Sequence, residues 1–297
     1  MRTAFINQLV KEAELNEKVF LVVGDLGYSV VEPFAVQFPD RFLNAGVAEQ
    51  NMTGIAAGLA MEGYNVFTYS IANFPTLRCM EQIRYDVCYH NLNVKVVSVG
   101  GGFAYGSLGA SHHATEDFGM LRAIPNLVVT APGDPHEAQG LTTYFCSKPG
   151  PAYIRLGKAG EPVVHSEPVH FEIPRAMKII DAGEKVILST GGILKYCFDF
   201  VKKNNKEYSL FSFPFIKPLD KLILKEICCR FKTIITVEEH QRSTGFGSAI
   251  LEGINDLIEE GEIASFPFIK RLAIPDIFIS VAGTQEYLRE KAGIILS

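Results

Sequence analysis

The 297-residue chain lacks the features that mark several specialised classes of protein. It has no tryptophan. It has no Cys-x-x-Cys pair, and its six cysteines stand inside apolar segments, which argues against a disulfide scaffold or a cysteine zinc site. No apolar run reaches the roughly 20 residues of a membrane-spanning helix. The N-terminal segment reads as an amphipathic helix, so we expect no signal peptide. Dense Lys/Arg runs are absent and the net charge is -5, which disfavours a nucleic-acid surface. A cytoplasmic protein with reduced thiols is therefore expected.

Apolar, β-rich runs alternate with helix-length segments along the whole chain. The predicted strands cover 19–23, 66–69, 94–99, 127–130, 186–190, 208–212, 233–237 and 268–273, and the predicted helices cover 48–61, 76–90, 135–146, 192–203, 220–230 and 246–260. Strands that are apolar on both faces and alternate with helices indicate parallel sheets covered on both sides. Prolines crowd the stretch from Pro149 to Pro174, whose second half reads as a linker. We predict an α/β fold of two doubly wound domains with parallel-rich sheets. The first domain is predicted to cover 1–172 and the second 173–297.

Three polar or glycine-rich segments follow strands or open helices, where parallel sheets place their ligand sites. Glu49 begins a helix whose next residues are mostly small and apolar, and 69–74 follows the strand at 66–69. The third segment, 99–113, stays irregular for about 14 residues, and loops of that length are usually functional or mobile. Each also has a structural interpretation: a helix-start carboxylate favoured by the macrodipole, or a surface loop.

The glycine-rich segment does not match the common phosphate-binding motifs. It contains no GxxxxGK[ST], and Tyr105 stands where a dinucleotide fingerprint needs glycine. His112 and His113 lie side by side at its end, without an acidic or cysteine partner at metal-ligand spacing. One imidazole acting as a proton donor is the better interpretation of this pair.

Several motifs occur together in an order that resembles one enzyme family. GVAEQNMTGIAAGLA, SIANF, EQIRYDVCYHNLNVKVVSVGGG and GASHHATEDFGMLRAIPNLVVTAPGDPHEA resemble the pyrimidine-binding domain of a transketolase. GEKVILSTGG, FPFIKPLD and VEEHQRSTGFGSA resemble the transketolase C-terminal domain. The resemblance spans roughly residues 20 to 255 and implies that the first domain has the thiamine-diphosphate-binding fold.

The resemblance implies a cofactor, thiamine diphosphate, and assigns residues to it. Glu49 matches the carboxyl that bonds a pyrimidine nitrogen and favours the imino tautomer, which then removes the thiazolium proton. Phe74 matches the aromatic that stacks on the aminopyrimidine, and Ile71 matches the wall beside it. A core role for Phe74 stays open at this point.

Substrate contacts are implied for the loop histidines and one arginine. His112 matches the active-site histidine that bonds substrate oxygens and assists proton movement, and His113 beside it is a second candidate. Arg155 matches an arginine that grips the substrate phosphate in many family members. A structural ion pair is an equally open interpretation of Arg155.

The family motif that binds the diphosphate through a metal ion has no counterpart in this sequence. That motif is GDG…N, and Gly24-Asp25-Leu26-Gly27 resembles it only superficially, with no matching downstream Asn. The resemblance therefore implies the C-terminal subunit of a split transketolase. Its partner would be an N-terminal-type subunit that holds the diphosphate with Mg²⁺ or Ca²⁺, most simply as α2β2.

Two positions depart from the pentose-phosphate enzymes of the family. Leu108 stands where an Asp usually reads a sugar hydroxyl, and Gly100 stands where a further His is usual. The phosphate-binding Ser/Arg insertion before Glu49 is also absent. The donor or acceptor is therefore expected to be unusual, such as a modified, sulfonated or non-phosphorylated sugar.

Three other functions remain open from the sequence. A relative of deoxyxylulose-phosphate synthase would share the Gly-x-Ala-Glu-Gln segment, and a 2-oxoacid dehydrogenase β-type subunit would share the Glu-bearing helix. A non-catalytic regulatory or scaffold subunit could keep the fold. The presence of both Glu49 and His112 argues against this last interpretation. The leading interpretation is a transketolase subunit that transfers a two-carbon ketol group from a ketose to an aldose.

Overall fold

The computed structural model describes residues 1–204 and 207–297. The strands are β1 Val19–Val23, β2 Phe42–Asn44, β3 Asn65–Ile71, β4 Val94–Val99, β5 Val128–Thr130, β6 Ala152–Leu156, β7 Met177–Ile180, β8 Lys185–Ser189, β9 Tyr208–Ser212, β10 Phe215–Lys217, β11 Thr233–Gln241 and β12 Phe268–Ile274. The helices are α1 Arg2–Leu15, α2 Glu32–Gln37, α3 Glu49–Met61, α4 Met80–Gln82, α5 Asp117–Arg122, α6 Pro135–Ser147, α7 Leu194–Lys203, α8 Lys221–Arg230, α9 Phe246–Glu259 and α10 Gln285–Lys291. The predicted 76–90 helix is a succession of a 3₁₀ turn, α4 and a π-helical segment, Ile83–Tyr89.

The first sheet has seven strands in the order β10-β5-β6-β4-β3-β1-β2. The pairs from β2 to β5 are parallel, and only β10 among these strands joins antiparallel. Because parallel strands end at one edge, the segments after β1, β3, β4 and β6 meet there. This edge holds the polar segments that the sequence singled out.

The second sheet has five strands in the order β12-β11-β8-β9-β7, with β7 antiparallel to β9. The two sheets and the helices on their faces confirm the predicted α/β fold with parallel-rich sheets. Strand β6 was missed by the sequence analysis and lies inside the proline-rich stretch, fully buried between β4 and β5. The first strand of the second sheet begins at Met177.

One apolar core is shared by the two halves of the chain. It contains Val22 and Met52 from the first half, and Leu188, Phe213 and Phe246 from the second. A second core lies on the other face of the first sheet, where α1 and α6 cover it. Strand β10 also links the two halves. It comes after β7, β8 and β9 of the second sheet in the chain, but it pairs with β5 of the first sheet.

Lys95 is fully buried at the opposite edge of the first sheet, near the start of β4. Its Nζ donates to Asn93 Oδ1 (2.6 Å), to the carbonyl oxygen of Lys148 (3.1 Å) and to that of Gly150. Burial lowers the pKa of Lys95 to about 7. The ammonium ties the end of α6 and the following turn to β4.

Candidate functional site

Glu49 is the first residue of α3, and its side chain is 1% exposed. Its Oε1 accepts a hydrogen bond from Ser70 Oγ (3.1 Å), and its Oε2 accepts one from Arg78 Nη1 (3.2 Å). Gly24, directly after β1, lies so close that a Cβ there would stand 3.3 Å from Ser70 Oγ and 3.5 Å from the Glu49 carboxyl. A single carboxyl is therefore held between the ends of β1 and β3.

Phe74 and His112 face each other at the same edge of the sheet. Their ring centroids are 5.5 Å apart in an edge-to-face arrangement, and both side chains are half-buried. Ile71, the last residue of β3, is also half-buried. The structure thus brings Glu49, Ile71, Phe74 and His112, all singled out by the sequence analysis, to one edge of the sheet.

Arg78 also contacts Glu49 and Phe74, and the sequence analysis did not single it out. Its guanidinium bonds Glu49 and also lies over the Phe74 ring, 5.2 Å from the centroid. The side chain is 50% exposed. A flat, nitrogen-bearing group therefore already bridges the carboxyl and the aromatic ring. The signal available in the sequence was an arginine four residues after Phe74 in the same segment.

Asn73 holds the histidine loop, residues 102–114, against the end of β3. Its Nδ2 donates to the carbonyl oxygens of Ser111 (3.2 Å) and His113 (2.6 Å). At its base the loop is closed by an antiparallel bridge between Gly102 and Ala114. These contacts fix the segment on which His112 faces Phe74.

His113 points into the loop that carries it. Its Nε2 lies 3.4 Å from the carbonyl oxygen of Gly106, and its ring meets that of Phe103 edge-on with centroids 5.2 Å apart. Burial lowers the pKa of His113. The imidazole lines a cavity of about 260 Å³ together with Asn73, Thr115 and Phe278 among others, so its contact with a substrate remains a prediction.

Arg155 is buried and makes several contacts within the protein. It is 5% exposed, and its Nε lies 3.2 Å from Asp117 Oδ2. Its Nη2 donates to the carbonyl oxygens of Ala114 and of Glu239 (2.8 Å for the latter), and its guanidinium stacks over Phe118 at 4.2 Å. The structure thus contains the ion pair that the sequence left open, while Arg155 also lines a small cavity with Gly101 and Gln285. Its contact with a substrate phosphate remains a prediction.

The two departures at the histidine loop have different settings. Leu108 is 55% exposed at the loop's outer turn. Gly100 has φ of +95°, and a Cβ there would overlap the Tyr105 ring. A histidine at position 100 therefore requires both a strained backbone and a displaced tyrosine, which explains why this loop carries glycine.

The described part of the chain, 1–204 and 207–297, contains no group of three or more His, Cys, Asp or Glu side chains arranged to hold a metal ion. Within the same residues, no helix is long and apolar enough to cross a membrane.

Comparison with known proteins matches both halves of the chain. The family model for the transketolase pyrimidine binding domain matches residues 1–160, and that for the transketolase C-terminal domain matches residues 176–294. The chain is 35% identical over 268 residues to an apulose-4-phosphate transketolase subunit of Actinobacillus succinogenes, covering 89% of this chain and 84% of that one. It is also 34% identical over 291 residues to 1-deoxy-D-xylulose-5-phosphate synthase of Syntrophus aciditrophicus, covering 96% of this chain and 44% of the synthase.

Among solved structures, the chain is similar to a split gene transketolase in the form of an inactive β4 tetramer. The TM-score is 0.85 at 31% sequence identity, covering 99% of this chain and 93% of that one. The fold and the site define a pyrimidine-binding domain joined to a transketolase C-terminal domain. The chain belongs to the transketolase family, and within it to the subunits of split transketolases, which confirms the resemblance seen in the sequence.

Proposed function

We propose that this chain supplies the pyrimidine half of the thiamine diphosphate site in a two-chain transketolase. The enzyme transfers a two-carbon ketol group from a ketose to an aldose. The observation that carries the proposal is the meeting of buried Glu49 with Phe74 and His112 at one edge of the first sheet.

The residues at this edge fit an aminopyrimidine ring. The guanidinium of Arg78 is a flat nitrogen group, and it makes the two contacts expected of that ring: a hydrogen bond to Glu49 and a stacked position over Phe74. Half exposure of Arg78 allows its side chain to move aside for the cofactor. Gly24 leaves the carboxyl approachable from the end of β1.

Each side chain of the site has a defined task in this proposal. Bound thiamine diphosphate supplies a nucleophilic thiazolium carbon. Glu49 bonds a pyrimidine nitrogen and shares a proton with it, and Ser70 keeps the carboxyl oriented. Phe74 and Ile71 hold the ring in place. His112 bonds substrate oxygens and donates or accepts a proton there.

The diphosphate and its metal ion are proposed to lie on a partner chain. An N-terminal-type subunit with the GDG…N motif would hold Mg²⁺ or Ca²⁺, and the simplest assembly is an α2β2 heterotetramer. Support comes from the Actinobacillus relative, whose name describes one subunit of a transketolase. We place the assembly in the cytoplasm, where the free thiols of all six cysteines stay reduced.

The substrate is proposed to be a sugar outside the usual pentose-phosphate pair. The side chain of exposed Leu108 cannot donate or accept a hydrogen bond to a sugar hydroxyl, and the left-handed backbone at Gly100, with Tyr105 packed against it, disfavours a histidine. The Actinobacillus relative carries apulose 4-phosphate in its name, so unusual sugars occur within this branch. Full efficiency with xylulose 5-phosphate and ribose 5-phosphate in steady-state kinetics would contradict this part of the proposal.

A native pull-down with this chain as bait tests the two-chain proposal. We expect the eluate to contain a second chain of similar size with the GDG…N motif, together with thiamine diphosphate detected by thiochrome fluorescence. Recovery of a lone homo-oligomer without cofactor would contradict the proposal. As a companion measurement, calorimetry on the isolated chain should show weak or no binding of thiamine diphosphate, since the charged tail meets no metal there. Submicromolar binding would refute the shared site.

A further inference from the structure

The histidine loop leans on the C-terminal part of the chain. Gly283 N donates to the carbonyl oxygen of Gly106 (3.2 Å). Leu288 of α10 and the Gly283 carbonyl fill the space where a side chain on Gly106 would start. The loop that carries His112 is therefore supported by residues far along the chain, and not by its own sequence alone.

Glu239 on β11 makes the central contact of this arrangement. Its Oε2 accepts hydrogen bonds from the Phe103 backbone N–H (3.0 Å) and from Gln285 Nε2 (2.9 Å). Its Oε1 accepts from Gln285 Nε2 (3.0 Å) and pairs with Arg289 Nε. The side chain is 7% exposed. Both carboxylate oxygens thus face donors, and the charge is paired within the protein.

The same residue also reaches the other end of the loop. The carbonyl oxygen of Glu239 accepts from Arg155 Nη2 (2.8 Å), and this nitrogen also donates to the carbonyl oxygen of Ala114. Ala114 is one partner of the Gly102–Ala114 bridge that closes the loop, and Phe103 directly follows the other. Gly102 has φ of +63°, and Glu239 occupies the space where its Cβ would stand, so the close approach depends on glycine.

We propose that Glu239 is a positioning residue that fixes the histidine loop so that His112 faces Phe74. It acts through the backbone of Phe103 and, by way of Arg155, through that of Ala114. Asn73 tethers the loop from the side of β3, and Glu239 tethers its base from the C-terminal domain. The kinetic consequence rests on the proposed function, whereas the consequence for loop order does not.

The test compares Glu239→Gln with Glu238→Gln. An amide keeps the volume of the carboxyl, but its NH₂ group must face a donor whichever way it turns, because both oxygens of Glu239 accept. Glu238 stands next to it on the same strand, and its carboxyl accepts from the backbone N–H groups of Phe246 and Gly247 at the start of α9, away from the loop. The control therefore places the same amide in the same buried strand.

Hydrogen exchange of the isolated chain gives the first readout. In Glu239→Gln we expect the Phe103 amide and the loop amides to exchange about tenfold faster or more, as expected for a lost hydrogen bond to a charged group. In Glu238→Gln the faster exchange should lie in α9 and leave the loop unchanged. If Glu239→Gln does not fold, Gln285→Ala removes one donor from each oxygen and should give a smaller increase confined to the same amides.

Steady-state kinetics of the assembled enzyme give the second readout. Misplacing a catalytic group by about 1 Å costs up to about 100-fold in rate, so Glu239→Gln should lower kcat by about 10- to 100-fold with little change in KM. The proposal would be overturned if the loop amides exchanged at the wild-type rate in both Glu239→Gln and Gln285→Ala. It would also be overturned if Glu238→Gln changed loop exchange and kcat as much as Glu239→Gln does. A wild-type assembly that transfers no ketol group would instead refute the proposed function and leave the exchange result to decide the role of Glu239.

Discussion

Replacing Glu49 by glutamine should separate the chemistry of this carboxyl from its role in the fold. Glutamine keeps the volume of the side chain, and its carbonyl oxygen still accepts from Ser70 Oγ. The change removes the ion pair with Arg78, whose side chain is 50% exposed. Because the carboxyl itself is buried, losing its hydrogen bond with the guanidinium costs about 1.5–3 kcal/mol, so we expect Tm to fall by about 3–12 °C.

Turnover should respond far more strongly than stability. Proton transfer by a positioned side chain contributes about 10²–10⁴-fold to an enzyme rate, and an amide cannot share a proton with a ring nitrogen as a carboxyl does. We expect Glu49→Gln to lose ketol transfer by at least that factor, measured on the assembly with saturating cofactor. Glu62→Gln, just beyond the exposed end of the same helix, is the matched control and should keep full rate. Turnover by Glu49→Gln comparable with that of the control would refute the catalytic role.

Three further predictions follow from other contacts. Arg78→Ala should strengthen cofactor binding to the assembly in calorimetry, because its guanidinium occupies the contacts expected of the aminopyrimidine; weaker binding would show instead that Arg78 holds Glu49 in place. Leu108→Asp should raise kcat/KM for xylulose 5-phosphate by about tenfold, the value of one hydrogen bond, and an unchanged specificity would remove Leu108 from the substrate site. The folded-state pKa of Lys95 is about 7, below its ordinary 10.5, so the unfolded chain binds the extra proton between these values and stability should rise with pH there. In denaturant titrations the wild type should gain about 1.4 kcal/mol per pH unit relative to Lys95→Met between about pH 7 and 10, and parallel curves would contradict this.

The local hydrophobic pattern was sufficient to predict the bounds of strands that are buried on both faces. Strand β1 and strand β4 begin and end at the predicted residues, because every position from Val19 to Val23 and from Val94 to Val99 is apolar or fully covered. The sequence analysis missed β2, β6, β7 and β10. Of these, β6 and β10 follow prolines, Pro151 and Pro214. A proline can stand at the start of a strand as readily as in a loop. Only the pairing of β6 and β10 with β5 shows that these segments are strands.

The site was predictable where one segment carries its own signal. Glu49 at a helix start and the long loop before His112 were both visible, since each departs from what its surroundings need. Arg78 and Glu239 were not, because their partners are distant in sequence: Glu49 lies 29 residues from Arg78, and Phe103 lies 136 residues from Glu239. The buried ion pair of Arg155 with Asp117 is also long-range, which is why the sequence left its role open.

Strand β10 makes the two halves of the chain inseparable in folding. Phe215 and Lys217 pair with Thr130 and Val129, and Phe215 also contacts the rings of Tyr144 and Phe171. A fragment that stops at residue 172 would leave the outer side of β5 as an unpaired edge, and such edges promote aggregation. We therefore expect the two halves to lose structure together on heating. An exchange of C-terminal domains between family members would have to preserve the pairing of β10 with β5.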